Sequence, residues 1–256
     1  MQIAVMGFGT VGSGVVELIL QNKKIVASRS GQSSLDVKKI LDIRDFSSHQ
    51  LANLFTKDFN DILNDKDIEI VVETMGGVNP AFDFVSKSLK AGKSVVTSNK
   101  ELVAAKGYEL LELAKENNVN FLFEASVGGG IPIIKGVINN AKRNKIDNIY
   151  GIMNGTTNYI LSRMTSEGSA YDIILKESQE LGIAETDPTQ DVEGIDAACK
   201  TVILANSLLG IDATYDDVEV NGISNITSHA INLADKDGYL IKLIAEVSPN
   251  TLKVSP

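Results

Sequence analysis

Asp196 and Lys200 stand four residues apart in a stretch, 191–205, where Ile195, Ala197, Ala198, Cys199, Val202, Ile203, Leu204 and Ala205 spread apolar surface around most of a helical circumference. Charges on so dry a helix need a partner or a task. Two readings are open at this level. One is a surface ion pair at i,i+4, worth roughly a few tenths of a kcal/mol. The other is a carboxylate and an amine facing a shared cleft, where the amine moves a proton. Immediately upstream, 182–191 is a polar loop with three further carboxylates, Glu185, Asp187 and Asp191. Asp191 could cap the helix that follows; Glu185 has no such structural reason to be there.

A second group of residues could hold phosphate. Residues 2–6 form a short apolar run suited to a central parallel strand, Gly7-Phe8-Gly9-Thr10-Val11-Gly12 follows at once, and helical spacing resumes from residue 15. In that order the G-x-G-x-x-G pattern makes a dinucleotide cradle: Gly7 turns tightly, Gly9 lets backbone approach a pyrophosphate, and Gly12 packs helix on strand. The helix N-terminus supplies the positive end. A turn without a ligand is the competing reading. The next strand spans 37–43, after a Ser/Gly-rich loop at 28–34. Asp42 near its end suits the ribose hydroxyls of NAD, whereas the Arg44 guanidinium suits the extra phosphate of NADP. The balance leans to NADP without excluding NAD. Surface pairing of Arg44 with Asp45 is the alternative.

The elements that position these groups alternate. A strand at 68–74 ends in Met75-Gly76-Gly77, a helix starting at Asn79 or Pro80 runs to Gly92, a strand covers 94–98, and Asn99-Lys100 opens another helix. A lysine in a first helical turn opposes the dipole; at the carboxyl end of a parallel strand Lys100 can meet an anion or an alcohol. A strand from Asn120 runs into Glu124 and then Gly128-Gly129-Gly130. That loop can turn carbonyl oxygens toward a hard cation beside the carboxylate, or serve as a flexible crossover. From 132 the pattern changes: a helix at 132–144, an alternating strand at 146–153, a polar turn at 154–158, helices from Tyr159 and at 170–181, then a strand at 238–247, a turn at 248–250 and a further strand. The expected fold is α/β, a Rossmann-type doubly wound parallel sheet over 1–131 followed by a smaller α+β substrate domain over 132–256. His49 and His229 lie in polar contexts and read as solvated.

Composition narrows the class. The 256 residues are 43% hydrophobic and carry a formal net charge of −9, enough for a sizeable core and wrong in sign for nucleic acid or an anionic membrane surface. A lone cysteine, Cys199, excludes an internal disulfide and fits the cytoplasm. The start of the chain lacks signal-peptide features, and no apolar run reaches the roughly 18 residues of a membrane span.

Five segments resemble homoserine dehydrogenases: Gly7-Phe-Gly-Thr-Val-Gly12, Thr97-Ser-Asn-Lys-Glu-Leu-Val-Ala104, Glu124-Ala-Ser-Val-Gly-Gly-Gly-Ile-Pro-Ile-Ile134, Gly151-Ile-Met-Asn-Gly-Thr-Thr-Asn-Tyr-Ile-Leu161 and Gly182-Ile-Ala-Glu-Thr-Asp-Pro-Thr-Gln-Asp-Val-Glu-Gly-Ile-Asp-Ala-Ala-Cys-Lys200. They run in the family's order over nearly the whole chain, and the last two are the most specific. The resemblance implies NAD(P)-linked interconversion of L-homoserine and L-aspartate 4-semialdehyde, on the route to threonine and methionine, by a homodimer. It implies that Phe8, Thr10, Val11, Arg44, Thr74, Thr97, Lys100 and Gly182 line the cofactor with the three glycines of the turn. Gly155, Thr156, Glu185, Asp191 and Asp196 would surround the amino acid. Lys200 would donate or accept the proton, with Lys100 as a second catalytic cation. Glu124 and the carbonyls of Val127, Gly129 and Ile131 would hold sodium. The family pattern continues with more substrate domain and a glycine-rich segment that this sequence lacks, so a C-terminally truncated chain is expected. Another amino-acid-type NAD(P) dehydrogenase, or a non-catalytic NAD(P)-binding remnant, would share many of these features.

Overall fold

Strand β1 (Gln2–Met6) is buried from Ile3 onward, as a strand covered on both faces must be. It is flanked by β2 (Asp36–Leu41) and β4 (Ile68–Glu73), and the sheet widens to β3 (Phe55–Thr56) on one side and to β5 (Ser94–Thr97) and β6 (Phe121–Leu122) on the other. All the pairings are parallel, in the order β3-β2-β1-β4-β5-β6. The order reverses between β1 and β4, the point where open α/β sheets bind ligands. The connections include α1 (Thr10–Arg29), the short α2 (Asn60–Leu63), α3 (Ala81–Lys90) and α4 (Lys100–Glu116). This computed structural model describes residues 1–141 and 143–256, and its chain divides into two compact units, Met1–Ile133 and Ile134–Pro256.

In the second unit α5 (Ile134–Ala141), α6 (Gly155–Glu167), α7 (Tyr171–Glu180), α8 (Thr189–Val192), α9 (Ile195–Leu204) and α10 (Ser228–Lys236) accompany a mixed sheet. Its strands are β7 (Ile149–Gly151), β8 (Glu219–Val220), β9 (Ile244–Ser248) and β10 (Thr251–Ser255), in the order β7-β9-β10-β8. β9 and β10 form the antiparallel hairpin around 249–250. Helix α9 packs on both of them and buries Ala197, Ala198, Val202, Ile203 and Leu204. The fold class is therefore the expected one: a Rossmann-like parallel sheet and a smaller α+β unit.

Several boundaries differ from expectation. β2 stops at Leu41, and Ile43, placed in that strand by its apolar character, is 88% exposed. The strand expected at 238–247 pairs only from Ile244; Tyr239 and Leu240 are exposed. The helix expected over 191–205 begins at Ile195. Gly194 takes a left-handed conformation (φ +80°), and a Cβ there would press on Val220 Cγ1 at 3.1 Å and Val254 Cγ1 at 3.3 Å, so the chain breaks where only glycine fits. Asp191 therefore sits in α8 and caps nothing. His49 is half-buried rather than solvated, its ring edge-on to Phe8 at 5.4 Å and to Phe55 at 5.7 Å, with Nδ1 accepting from the Leu51 N–H. His229 is exposed. Among the described residues no helix is long and apolar enough to cross a membrane.

Candidate active site

The glycine turn is shaped by contacts that leave no alternative residue at two of its positions. Gly7 has φ +92°, and a Cβ there would lie 2.9 Å from the Thr74 carbonyl oxygen. At Gly12 a Cβ would lie 1.9 Å from the Gly7 carbonyl oxygen and 2.7 Å from Thr74 Oγ1, which itself donates to Gly7 O at 2.9 Å and Met6 O at 3.1 Å. Around Gly9, in contrast, a Cβ would meet no protein atom within 4 Å. The turn is closed on its sheet side and open on the outer side. Helix α1 starts there without a side-chain cap and without an acidic residue in its first turn. Its N-terminal amides and dipole therefore face the open side as an anion seat.

Beside this seat lies a crevice of roughly 500 Å³ lined by Gly7, Phe8, Gly9, Asp42, Arg44 and Lys57, with Thr74, Met75, Pro80 and Phe84 also in its wall. Asp42 is only 7% exposed. The Arg44 side chain, its strongest neighbour, holds the Asp42 carboxyl well below the usual carboxylate range, helped by the Arg44 and Phe8 backbone N–H groups. Arg44 thus pairs with Asp42, not with Asp45, whose carboxylate accepts from the Ser47 N–H. Lys57 was not anticipated from sequence. It follows β3, a strand of two residues that periodicity cannot reveal.

At the carboxyl ends of β4 and β5, Thr97 Oγ1 donates to the fully buried Glu73 at 2.5 Å and accepts from the Asn99 N–H at 2.9 Å. Glu73 also accepts from the Met75 N–H at 2.7 Å. The Thr97 hydroxyl therefore braces the strand ends, and Thr97 is not among the residues of the crevice wall described above. Asn99 caps α4 through the Leu102 N–H, which makes Lys100 the first helical residue. Replacing Glu73 by alanine orphans the Met75 amide and opens a void, and is expected to lower the urea-unfolding free energy by about 2–4 kcal/mol, with Glu73→Gln losing distinctly less. An unchanged urea midpoint for Glu73→Ala would contradict this.

After β6, Glu124–Ser126 forms a 3-10 turn that leads into the triple glycine. A Cβ on Gly128 would lie 2.7 Å from the Ile131 carbonyl oxygen, so the loop curls back with that oxygen against glycine. Oxygen donors of this kind suit a hard monovalent or divalent cation. Among the described residues no group of three or more His, Cys, Asp or Glu side chains could hold a metal.

In the second unit, sequence expectation put a polar turn at 154–158. The helix instead begins at Gly155, because Asn154 caps it: Asn154 Oδ1 accepts from the Thr157 N–H at 2.8 Å. Asn154 then has its amide nitrogen left for other work, and it donates to Asp191 Oδ1 at 2.7 Å and Asp196 Oδ2 at 3.0 Å. Lys200 Nζ donates to the same Asp196 oxygen at 2.7 Å and to the Met153 carbonyl at 2.9 Å. Asp196 is 4% exposed and lies in the first turn of α9, where the helix dipole favours its charge. Asp191, Asp196 and Lys200 are thus joined through Asn154, which sequence reasoning had not singled out; its signal was an N-cap asparagine before Gly-Thr-Thr. Thr156 Oγ1 donates to Ile183 O at 3.3 Å, and Gln179 Nε2 donates to the carbonyls of Glu185 and Thr186, both at 3.1 Å. These bonds pin the acidic loop to α6 and α7. Glu185 is exposed and makes no hydrogen bond to the cluster; Gly182 follows α7 in a left-handed conformation (φ +70°). Asp187 is held to Thr189, whose hydroxyl is the main cause of its lowered pKa. The short bond from Ser224 Oγ to Glu193 lies outside this cluster.

Residues 132–256 match the homoserine dehydrogenase family model, and residues 7–124 match the model for the homoserine dehydrogenase NAD-binding domain. A homoserine dehydrogenase of Methanocaldococcus jannaschii is 41% identical over 280 residues, covering 100% of this chain and 83% of its own. The chain belongs to the homoserine dehydrogenase family. The Bacillus subtilis homoserine dehydrogenase is also 41% identical over 247 residues, covering 95% of this chain and 57% of its own. A solved homoserine dehydrogenase from Thiobacillus denitrificans has a TM-score of 0.92 and 38% identity over 100% of this chain and 61% of its own. The chain therefore spans about three fifths of the length of these last two family members.

Proposed function

We propose that this chain is an NAD(P)-dependent homoserine dehydrogenase that interconverts L-homoserine and L-aspartate 4-semialdehyde, within threonine and methionine biosynthesis. The observation that carries the reading is the hydrogen-bonded Lys200–Asp196–Asn154–Asp191 cluster around the buried Asp196, in a chain whose first unit has a glycine turn. Bound NADP or NAD supplies or removes the hydride. The open side of Gly9 fits its pyrophosphate, with Gly7, Phe8, Thr10, Val11, Gly12 and Thr74 around it and Thr97, Lys100 and Gly182 as further cofactor residues. Arg44 and Lys57 are the two cations of the crevice, which favours the 2′-phosphate of NADP.

An amino-acid substrate brings an ammonium, and a carboxylate-rich pocket is what such a cation requires. Asp191, Asp196 and the pinned loop with Glu185 supply that charge, and the first residues of α6, Gly155 and Thr156, provide N–H and hydroxyl groups for the substrate's polar ends. Lys200 has three ammonium hydrogens, two of which are engaged by Asp196 and Met153 O. The third is left for the substrate oxygen. In the reducing direction Lys200 donates this proton as the carbonyl oxygen gains charge; in the oxidising direction the neutral amine takes it from the hydroxyl. Lys100 is the second cation assigned to the reaction. The Glu124 carboxylate with the carbonyls of Val127, Gly129 and Ile131 is proposed as a sodium site. A homodimer in the cytoplasm, without nucleic-acid or membrane partners, completes the reading. The test is NADPH oxidation with L-aspartate 4-semialdehyde and identification of L-homoserine as product; absence of NADPH consumption at millimolar substrate would reject the activity.

A further inference from the structure

We propose that Asp42 is a positioning residue that presets Arg44 as an anion hook, and does not itself hold the ribose hydroxyls that an acid at the end of the second strand usually binds. The inference rests on the dinucleotide-binding reading above and goes on to say how this chain selects between the two dinucleotides.

An ionised carboxylate offers about four acceptor positions. On Asp42 these are taken within the protein: Oδ1 accepts from the Arg44 backbone N–H at 2.9 Å and from Arg44 Nε at 3.0 Å, and Oδ2 accepts from the Phe8 N–H at 2.8 Å and from an Arg44 terminal nitrogen at 2.9 Å. A ribose hydroxyl donating to this carboxylate would have to displace one of them. The same Arg44 terminal nitrogen also donates to the Phe8 carbonyl at 2.8 Å, and the guanidinium lies 5.1 Å from the centroid of the Phe46 ring. Arg44 is consequently tied to the glycine turn through both Phe8 and Asp42, although its side chain is 56% exposed. Its second terminal nitrogen makes no hydrogen bond to the described residues, so two N–H groups remain at the crevice rim. A flexible arginine made rigid in this way loses less conformational freedom when it meets a phosphate. The geometry favours the 2′-phosphorylated dinucleotide, and an NAD ribose gains nothing from Asp42 while Arg44 is seated.

Direct titration of NADPH and NADH into the full 256-residue chain, without substrate, separates the possibilities. Wild type is expected to bind NADPH at least about 10-fold more tightly than NADH. Arg44→Ala should weaken NADPH about 30-fold and leave NADH within about 2-fold. Asp42→Ala should weaken NADPH about 5-fold, again with little change for NADH, and the double variant should bind NADPH no worse than Arg44→Ala, because the Asp42 effect runs through Arg44. Asp42→Asn, which keeps one acceptor oxygen for Arg44 and most of the local geometry, should fall between wild type and Asp42→Ala and serves if the alanine variant does not fold. Selective loss of NADH on changing Asp42 would make it a ribose acceptor and overturn the proposal. Tighter NADPH binding in both Asp42 variants, or additive losses in the double variant, would overturn it as well. Wild-type chain that bound neither dinucleotide would instead reject the dinucleotide reading beneath it.

Discussion

Lys200→Ala is expected to lower turnover about 10³-fold while NADPH affinity in direct titration changes by less than about 3-fold. The amine is fixed by groups of its own unit, Asp196 Oδ2 at 2.7 Å and Met153 O at 2.9 Å, whereas the glycine turn and crevice belong to the first unit. Removing it leaves Asp196 with the Asn154 amide at 3.0 Å and the N-terminus of α9, so its charge is not stranded. Lys200→Arg tests geometry separately from charge: a guanidinium keeps the positive charge but holds its proton too tightly to exchange it, so turnover should stay low. Equal losses of turnover and NADPH affinity in Lys200→Ala would mean that the substitution had damaged the fold or the cofactor site. In that case the proton-transfer role would have no support.

The second large effect is expected at the glycine turn, where two neighbouring substitutions should behave differently. Gly12→Ala puts a methyl 1.9 Å from the Gly7 carbonyl oxygen and 2.7 Å from Thr74 Oγ1. The first of these is backbone in the tightest part of the turn, so β1 and α1 must separate. NADPH affinity should fall about 100-fold and thermal stability should fall with it. Gly9→Ala meets no protein atom within 4 Å, so the fold should keep its melting temperature. The methyl enters only the space assigned to the pyrophosphate, and NADPH binding should still drop by about 10-fold or more. Calorimetric melting alongside NADPH titration reads both. A Gly9→Ala chain that binds NADPH normally would show that the open side of the turn is not the phosphate seat.

The residues that make backbone shape were the most legible in the sequence. A glycine pattern between an apolar run and a helical run has few physical outcomes, and the parallel strands announced themselves as short, continuous apolar stretches. The Asp196–Lys200 pair on α9 was legible for a similar reason: charges on an otherwise dry helix are expensive unless partnered. What stayed hidden depended on tertiary neighbours. The break at Gly194 is a left-handed turn (φ +80°) packed beside Val220 and Val254, which are distant in sequence. Asn154 reads as a turn residue, yet it joins Asp191 and Asp196 because its cap geometry aims the amide inward. Lys57 reaches the crevice from a strand too short to carry a period, and the apolar Ile43 gave the appearance of a longer β2 than Leu41 allows. Arg44 reads in the sequence as a phosphate ligand or a surface partner of Asp45, and its bonds to Asp42 and Phe8 emerge only when the end of β2 lies beside the glycine turn.

The proposed amino-acid substrate makes one demand on substrate choice that an ordinary aldehyde reductase would not. Succinic semialdehyde has the carboxylate and aldehyde of L-aspartate 4-semialdehyde but lacks the ammonium. Comparing kcat/KM for the two with NADPH measures what the carboxylates around Lys200 contribute. A preference of about 10³-fold or more for the amino acid is predicted, because a site that binds a substrate through its ammonium discriminates strongly against the analogue that lacks it. Comparable kcat/KM values for the two aldehydes would contradict the account.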